Sequence, residues 1–549
     1  MKISKLKIGK LKKKSYLCIW NQKDLSMEEI NYPIGIQTFS KIVNGDYIYV
    51  DKTDIVYRLV KRYDYVFLSR PRRFGKSLLM STLEAYFKGE KELFKGLAIE
   101  SLEKDWICHP VFRFDFSPAN YVDPERLINR IGGNLDSIER EYSLSSKGNN
   151  LQERLLSLIE GAYLKYKEKV VVLIDEYDKP MLDSLHIPDL HENLKAELRS
   201  FYSAIKASDK FIRFAMLTGI TKFGKVSIFS GMNNLKDISL LPRYNTICGI
   251  SESEFHRDFP GSVASFAEEH DITEGETWNE FREMYDGYRF ASRGEGVYNP
   301  YSVINAFDEN ELKNFWFDTG TSSFLVRLIE TNSYRLDTLE GQRRKESQLN
   351  DITDPGDAVI PLLFQSGYLT IKDYDRDTLE YTLGFPNREV RRSFWESLAN
   401  HFFRGIDGNP AFNLRECIRY VNEGLPEDFM RSMRSLFADT HSEAEKNKEI
   451  HFQNMMATAA KMLSLIVRTE IHSARGRCDM QILASGFVYI FEFKIDGTAE
   501  EAMDQIREKG YAVPFESDPR TVFLIGANFS TETRTLDGWI IKRYLGRVS

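Results

Sequence analysis

Tyr65-Val-Phe-Leu-Ser69 is followed by Arg70-Pro-Arg-Arg-Phe-Gly-Lys-Ser77, and the helix-prone run Leu78–Phe87 comes next. The apolar run predicts a strand buried on both faces. Strand, tight loop and helix in that order form an anion site, because backbone N–H groups at the helix N-terminus surround phosphate oxygens. Lys76 is then placed to reach the β and γ oxygens of a nucleotide, and the Ser77 hydroxyl to coordinate Mg²⁺. The general pattern, G-x-x-x-x-G-K-[ST], carries glycine at its first position; here that position is Arg70. Gly75-Lys76-Ser77 alone is a weak signal that chance often supplies.

A second element strengthens it. Val170-Val-Val-Leu-Ile-Asp175-Glu176 is an apolar strand ending in two acids. Asp175 suits water-mediated Mg²⁺ binding, and Glu176 suits orienting the attacking water. Taken alone it is equally a strand that ends in a solvated acidic turn. Coming after the loop in an α/β pattern, it points to nucleotide binding. The nucleotide site is expected to comprise Arg73, Phe74, Gly75, Lys76, Ser77, Asp175 and Thr218, with Glu176 catalytic and ATP·Mg²⁺ as the ligand. Thr218 ends the strand Phe211–Thr218, a place to sense the γ-phosphate, though threonine is also an ordinary turn residue there. The other expected strands are Val111–Ser117 and Thr246–Ile250. Ser77–Lys88 and Leu190–Ala207 are expected crossover helices.

Working outward, the 549 residues exceed one simple domain, and 42% hydrophobic with 28% charged residues is a globular composition. The net charge of -7 excludes a uniformly basic nucleic-acid coat but not a local basic site. Residues 1–26 hold eight lysines and one acid, which makes this tail +7 and leaves −14 on the rest. Such a tail is expected to be disordered, to touch phosphates, or to precede a true start at Met27. Five scattered cysteines without Cys-x-x-Cys argue against a disulfide framework or zinc knuckle and fit a reducing, cytoplasmic setting. No apolar run is long enough to cross a bilayer, so no membrane partner is expected. From Ser251 the pattern turns helical. Leu369–Tyr374 and Leu379–Leu383, around Asp375-Arg376-Asp377, form an expected hairpin, and with Ala358–Phe364 before it a winged-helix-like module.

Near the C-terminus, Arg475-Gly-Arg-Cys-Asp479-Met-Gln-Ile-Leu483 and Val488-Tyr-Ile-Phe-Glu492-Phe-Lys494-Ile flank Ala-Ser-Gly486. This reads as a hairpin. Period two puts Val488, Ile490, Glu492 and Lys494 on one face. Asp479 and Glu492 suit Mg²⁺, and Lys494 suits positioning a water or offsetting developing charge, which is the equipment for phosphodiester cleavage. From spacing alone, an edge strand with solvated terminal charges explains the pattern as well.

Tyr32-Pro-Ile-Gly-Ile-Gln-Thr-Phe39, Tyr49-Val-Asp-Lys-Thr53, the loop Arg70–Ser77, Leu173-Ile-Asp-Glu-Tyr-Asp-Lys-Pro180 and Leu217-Thr-Gly219 resemble the prokaryotic AAA-ATPase-like family. Gly287-Tyr-Arg-Phe290, Val297-Tyr-Asn-Pro300, Gly367-Tyr-Leu-Thr370 and Pro386-Asn-Arg-Glu-Val390 extend the resemblance over about residues 31–530. That family is similar to the AAA+ and STAND branch of P-loop ATPases, and Arg70 is its usual residue. Many members end in a PD-(D/E)XK nuclease domain. The resemblance therefore implies a basic tail (1–30), a P-loop α/β domain with a parallel sheet (31–250), a helical and winged-helix-like middle (251–400), and a restriction-endonuclease-like α/β domain (401–549). It implies catalytic Asp479, Glu492 and Lys494, a further metal-binding acid at Glu470, and Gln505 and Tyr511 on the helix that follows. It also implies an ATPase that controls a Mg²⁺-dependent nuclease acting on DNA, in a homo-oligomer or alone, with defence against foreign DNA as a setting by domain analogy. An ATP-dependent switch or DNA- or partner-binding protein with an inert nuclease fold, and a protein that binds ATP only structurally, are the alternatives.

Overall fold

The structure, a computed structural model, describes residues 30–184, 187–222, 234–318, 329, 334–336, 339–350, 359–402, 410–438, 454–455, 458, 461, 479–533 and 535–545. The basic tail, Glu470 and Arg475–Cys478 of the expected hairpin lie outside the described residues. The chain divides into two compact units, residues 1–281 with 289–311, and residues 282–288 with 312–549.

The first unit is built on a five-stranded parallel sheet. Its strands are β1 (Tyr65–Ser69), β2 (Val111–Asp115), β3 (Val170–Asp175), β4 (Ile212–Gly219) and β5 (Lys236–Asp237), in the order β2-β3-β4-β1-β5. Every residue of β1 and β3 is buried, as their unbroken apolar runs require. Helices Lys76–Phe87, Pro124–Tyr142, Leu151–Tyr166 and Pro188–Ala207 lie between the strands in sequence. Two of them start on side-chain caps: Asp123 accepts from Arg126 N–H, with Pro124 in the first turn, and Asn150 accepts from Glu153 N–H. β2 stops two residues short of the expected Ser117, where the Asp115 carboxylate takes the Ser117 N–H at 2.8 Å and turns the chain.

One strand is placed differently from the sequence reading. Thr246–Ile250 does not join the sheet; the fifth strand is the two-residue β5, paired with Val66 and Phe67. Ile247, Cys248 and Ile250 are buried. Only Ile250–Ser251 (β6) pairs, antiparallel with Val297–Tyr298 (β7). A short apolar run reports burial rather than pairing, and a strand as short and polar as Lys236–Asp237 has no period to detect.

The second unit holds two sheets. Arg343–Lys345 (β8), Thr370–Asp375 (β9) and Glu380–Gly384 (β10) form an antiparallel sheet in the order β8-β10-β9. The hairpin is where the sequence places it, with the Asp375 carboxylate accepting from Asp377 and Thr378 N–H. Helices Val359–Ser366 and Arg388–Phe402 flank it in sequence. The other sheet orders Met480–Leu483 (β11), Phe487–Ile495 (β12), Thr521–Ser530 (β13) and Thr535–Tyr544 (β14) consecutively. β12 runs antiparallel to β11 and parallel to β13, with helix Ala499–Glu508 as the crossover. On one face, Val488 and Ile490 pack with Met503, Ile506, Val522 and Leu524. On the other, Phe491 stacks near Phe429 and the Tyr489 hydroxyl donates to Val421 O at 2.7 Å. Period two in β12 thus sorts its side chains between two helical layers. Among the described residues, no helix is long and apolar enough to cross a membrane.

Candidate nucleotide and metal sites

The loop after β1 ends on Gly75 (φ +89), the N-cap of helix Lys76–Phe87, and a Cβ there would meet nothing within 4 Å. Open space in front of a helix N-terminus is what a phosphate needs. The left-handed backbone falls on Gly75 and on Arg73 (φ 66), not on position 70. A side chain at position 70 is therefore tolerated, and Arg70 uses it to leave the loop. Its guanidinium is buried and donates to the carbonyls of Ser69 (2.9 Å), Ser239 (2.8 Å) and Tyr244 (2.9 Å), and it stacks 4.1 Å from the Phe290 ring. Burial pulls its pKa down to about 10, which leaves it charged at neutral pH. Phe74 is buried edge-on against Phe290, so only its backbone faces the loop's interior. Arg73 is exposed and lies 4.8 Å over Tyr301. Ser77 is half-buried in the first turn of the helix.

Strand order brings the remaining nucleotide residues together. β4 separates β1 from β3, so the loop, Thr218 and the acidic turn sit at neighbouring C-terminal strand ends. Lys76 is 4% exposed; its Nζ donates to Arg70 O and Pro71 O, both at 3.1 Å, and lies 3.5 Å from Glu176 Oε1. The Thr218 hydroxyl donates to Asp175 Oδ1 at 2.6 Å, so in this structure it braces the metal-binding candidate. Glu176 has φ 53, and burial pushes its carboxyl pKa up, with Lys76 pulling the other way. Ser77 and Asp175 supply the hard oxygens that Mg²⁺ prefers.

In the second unit, the register Met480↔Phe491 sets Asp479 across from Glu492 at the open end of the hairpin. Asp479 Oδ2 accepts from Phe493 N–H at 2.8 Å. Glu492 is 4% exposed. Gln505, on the crossover helix, donates its amide N–H to Glu492 Oε1 and accepts from Lys494 Nζ. A capping box of Thr498 and Glu501 starts that helix and so fixes where Gln505 lies. Glu492 Oε2 is buried with no hydrogen-bond partner. A buried carboxylate oxygen left without a donor, beside a second carboxylate, fits a divalent cation.

Burial, and then the Asp479 charge, raise the Glu492 pKa from 4.5 to about 7. The folded metal-free protein therefore holds a proton that the unfolded chain has released between those values. Its stability falls as pH rises across that window, by on the order of 2 kcal/mol. Mg²⁺ binds the ionised carboxylate. Without nucleotide, the Mg²⁺-induced rise in Tm should be larger at pH 8 than at pH 6, and Glu492→Gln should remove both the Mg²⁺ response and the alkaline loss. Thermal unfolding at the two pH values decides this; an Mg²⁺ response that is equal at both and survives the substitution counts against a metal on Glu492.

Three residues escaped assignment from sequence. Arg70 looked like a loop residue, although its departure from glycine was visible. Asp178 stands in the quoted acidic turn, is fully buried, and drew no role. Gln505 was noted only as part of a helix; its bridge between Glu492 and Lys494 depends on where that helix crosses β12. Glu470 lies outside the described residues.

Comparison with known proteins agrees with both halves. Residues 33–229 match the family model described as predicted AAA-ATPase, and residues 447–539 match that of the PD-(D/E)XK nuclease superfamily. An uncharacterized protein in the vnfD 5′ region of Azotobacter chroococcum mcd 1 is 36% identical over 530 residues, which covers 94% of this chain and 99% of the relative.

Proposed function

The chain belongs to the AAA-ATPase-like family that ends in a PD-(D/E)XK nuclease superfamily domain, and from that premise we propose that it hydrolyses ATP to control Mg²⁺-dependent cleavage of DNA. The observation that carries the ATPase half is the convergence of Lys76, Asp175, Glu176 and Thr218 at neighbouring strand ends. Lys76 offers its ammonium to the β and γ oxygens, and the loop's N–H groups hold the phosphates. Glu176, with its raised proton affinity, orients the attacking water. Ser77 and Asp175 would hold one Mg²⁺, and Asp479 and Glu492 another. Mg²⁺ supplies neutralisation of phosphate charge and a more acidic water when bound. Lys494 offsets charge on the scissile phosphate, and Gln505 keeps it and Glu492 aligned. Defence against foreign DNA is the setting that suits these parts.

A second reading keeps ATP binding but leaves the nuclease fold inert. The Gln505 bridge favours it, since the bridge satisfies Lys494 and one Glu492 oxygen without metal or substrate. One experiment separates the readings: cleavage of plasmid and single-stranded DNA by the full chain at fixed salt, with and without Mg²⁺ and ATP. Cleavage that needs Mg²⁺ and changes at least about threefold with ATP is expected, because ATP alters cleavage only through a differential preference between states. Cleavage indifferent to ATP removes the control, and no cleavage under any condition favours the inert fold.

A further inference from the structure

The turn after β4 is wedged between the two halves of the nucleotide site. On the loop side, the Ser69 hydroxyl donates to Ile220 O at 2.5 Å, and Arg70 N–H donates to Gly219 O at 3.1 Å. On the acidic side, Tyr177 donates its N–H to Thr218 O and its hydroxyl to Thr221 O, both at 3.0 Å. Asp178 closes this side. Its carboxylate is fully buried and accepts from Ile220 N–H (3.1 Å), Thr221 N–H (2.6 Å) and the Thr221 hydroxyl (2.6 Å). The fit is close: a Cβ at Gly219 would lie 2.4 Å from Asp178 Oδ1 and 2.7 Å from the Tyr177 ring.

Glu176 stands between Asp175 and this clamp with φ 53, a backbone conformation that non-glycine residues avoid. It persists only where its surroundings over-determine it. The residues that do so are the next two in sequence. We infer that Asp178 is a positioning residue for ATP hydrolysis: by tying the turn after β4 to the acidic turn, it holds Glu176 in the left-handed conformation that sets its carboxylate beside Lys76 and the phosphate loop. A buried carboxylate satisfied only by neutral donors of one turn is a costly way to brace a loop, and the cost is intelligible if the loop carries the group that orients water. The inference rests on the reading of Glu176 as that group.

Asp178→Asn keeps the size of the side chain but turns an amide N–H toward groups that themselves donate. In the full chain, kcat for ATP hydrolysis is expected to fall about 30-fold, while KM and the dissociation constant for ATP stay within about threefold of wild type. In the Glu176→Gln background the same change should cost nothing further, because its effect runs through Glu176. Wild-type kcat in Asp178→Asn overturns the inference, as does a loss appearing mainly in KM or one that adds fully to Glu176→Gln. If Asp178→Asn does not fold, Thr221→Val removes one donor alone; it should lower kcat about threefold at unchanged KM, and an unchanged kcat overturns the inference. The two levels fail differently. Glu176→Gln hydrolysing at the wild-type rate, or a wild-type protein without turnover, sinks the role of Glu176 and this inference with it. Hydrolysis that depends on Glu176 but not on Asp178 sinks this inference alone.

Discussion

Asp479→Ala and Lys494→Ala should each lower Mg²⁺-dependent DNA cleavage about 10³-fold, roughly 4 kcal/mol of transition-state stabilisation. Asp479 is exposed at the open end of the β11–β12 hairpin, and its carboxylate touches the described chain at the Phe493 N–H. Its loss should therefore cost the metal far more than the fold. Lys494 differs, because its ammonium also holds Gln505, whose amide holds Glu492. Lys494→Ala should loosen Glu492 as well as remove a charge, so Gln505→Ala should reproduce part of its effect, about tenfold to 100-fold. Both variants should still bind ATP, since they share no residue with the nucleotide site. Gel assays of cleavage beside ATP-induced shifts in Tm test this. Cleavage that survives Asp479→Ala would place the active site elsewhere or expose a contaminant.

Lys76→Ala should weaken ATP binding at least about 100-fold, on the order of 3 kcal/mol. The structure adds a second consequence. Lys76 is the cation 3.5 Å from Glu176, in a setting that already raises the Glu176 pKa. Without it, Glu176 should hold its proton to still higher pH, and any residual hydrolysis should be correspondingly impaired at neutral pH. The ATP-induced rise in Tm should vanish, and the Mg²⁺-dependent cleavage should remain but no longer respond to ATP. Undiminished thermal stabilisation by ATP in Lys76→Ala would rule out a phosphate site on this loop. Glu176→Gln provides the contrast, since it should retain ATP binding and lose turnover.

Much of the architecture was readable from residue order. β1 and β3 are continuous apolar runs that end at a loop and at two acids, and they form as strands where they were read. Period two in Val488–Lys494 placed Glu492 and Lys494 on one face, and the register with β11 then brought Asp479 opposite. Thr246–Ile250 misled because burial in a loop and burial in a sheet look alike over five residues. β5 and β8 were invisible for the opposite reason: both are two or three polar or basic residues whose pairing is imposed by neighbours.

The sequence by itself determined the chemistry available at each site: a lysine and a hydroxyl at a helix start, two acids at a strand end, and two carboxylates and a lysine on a hairpin. Those follow from covalent order and local periodicity, which reach only a few residues along the chain. Tertiary structure alone decided what each group is bonded to. It turned Arg70 away from the phosphate loop and onto three carbonyls, gave Thr218 to Asp175, buried Asp178 beneath the turn after β4, and set Gln505 between Glu492 and Lys494. The physical reason is that these partners come from different strands and helices. Their meeting depends on strand order and on where a helix crosses a sheet, and neither is encoded in the spacing of the residues that meet.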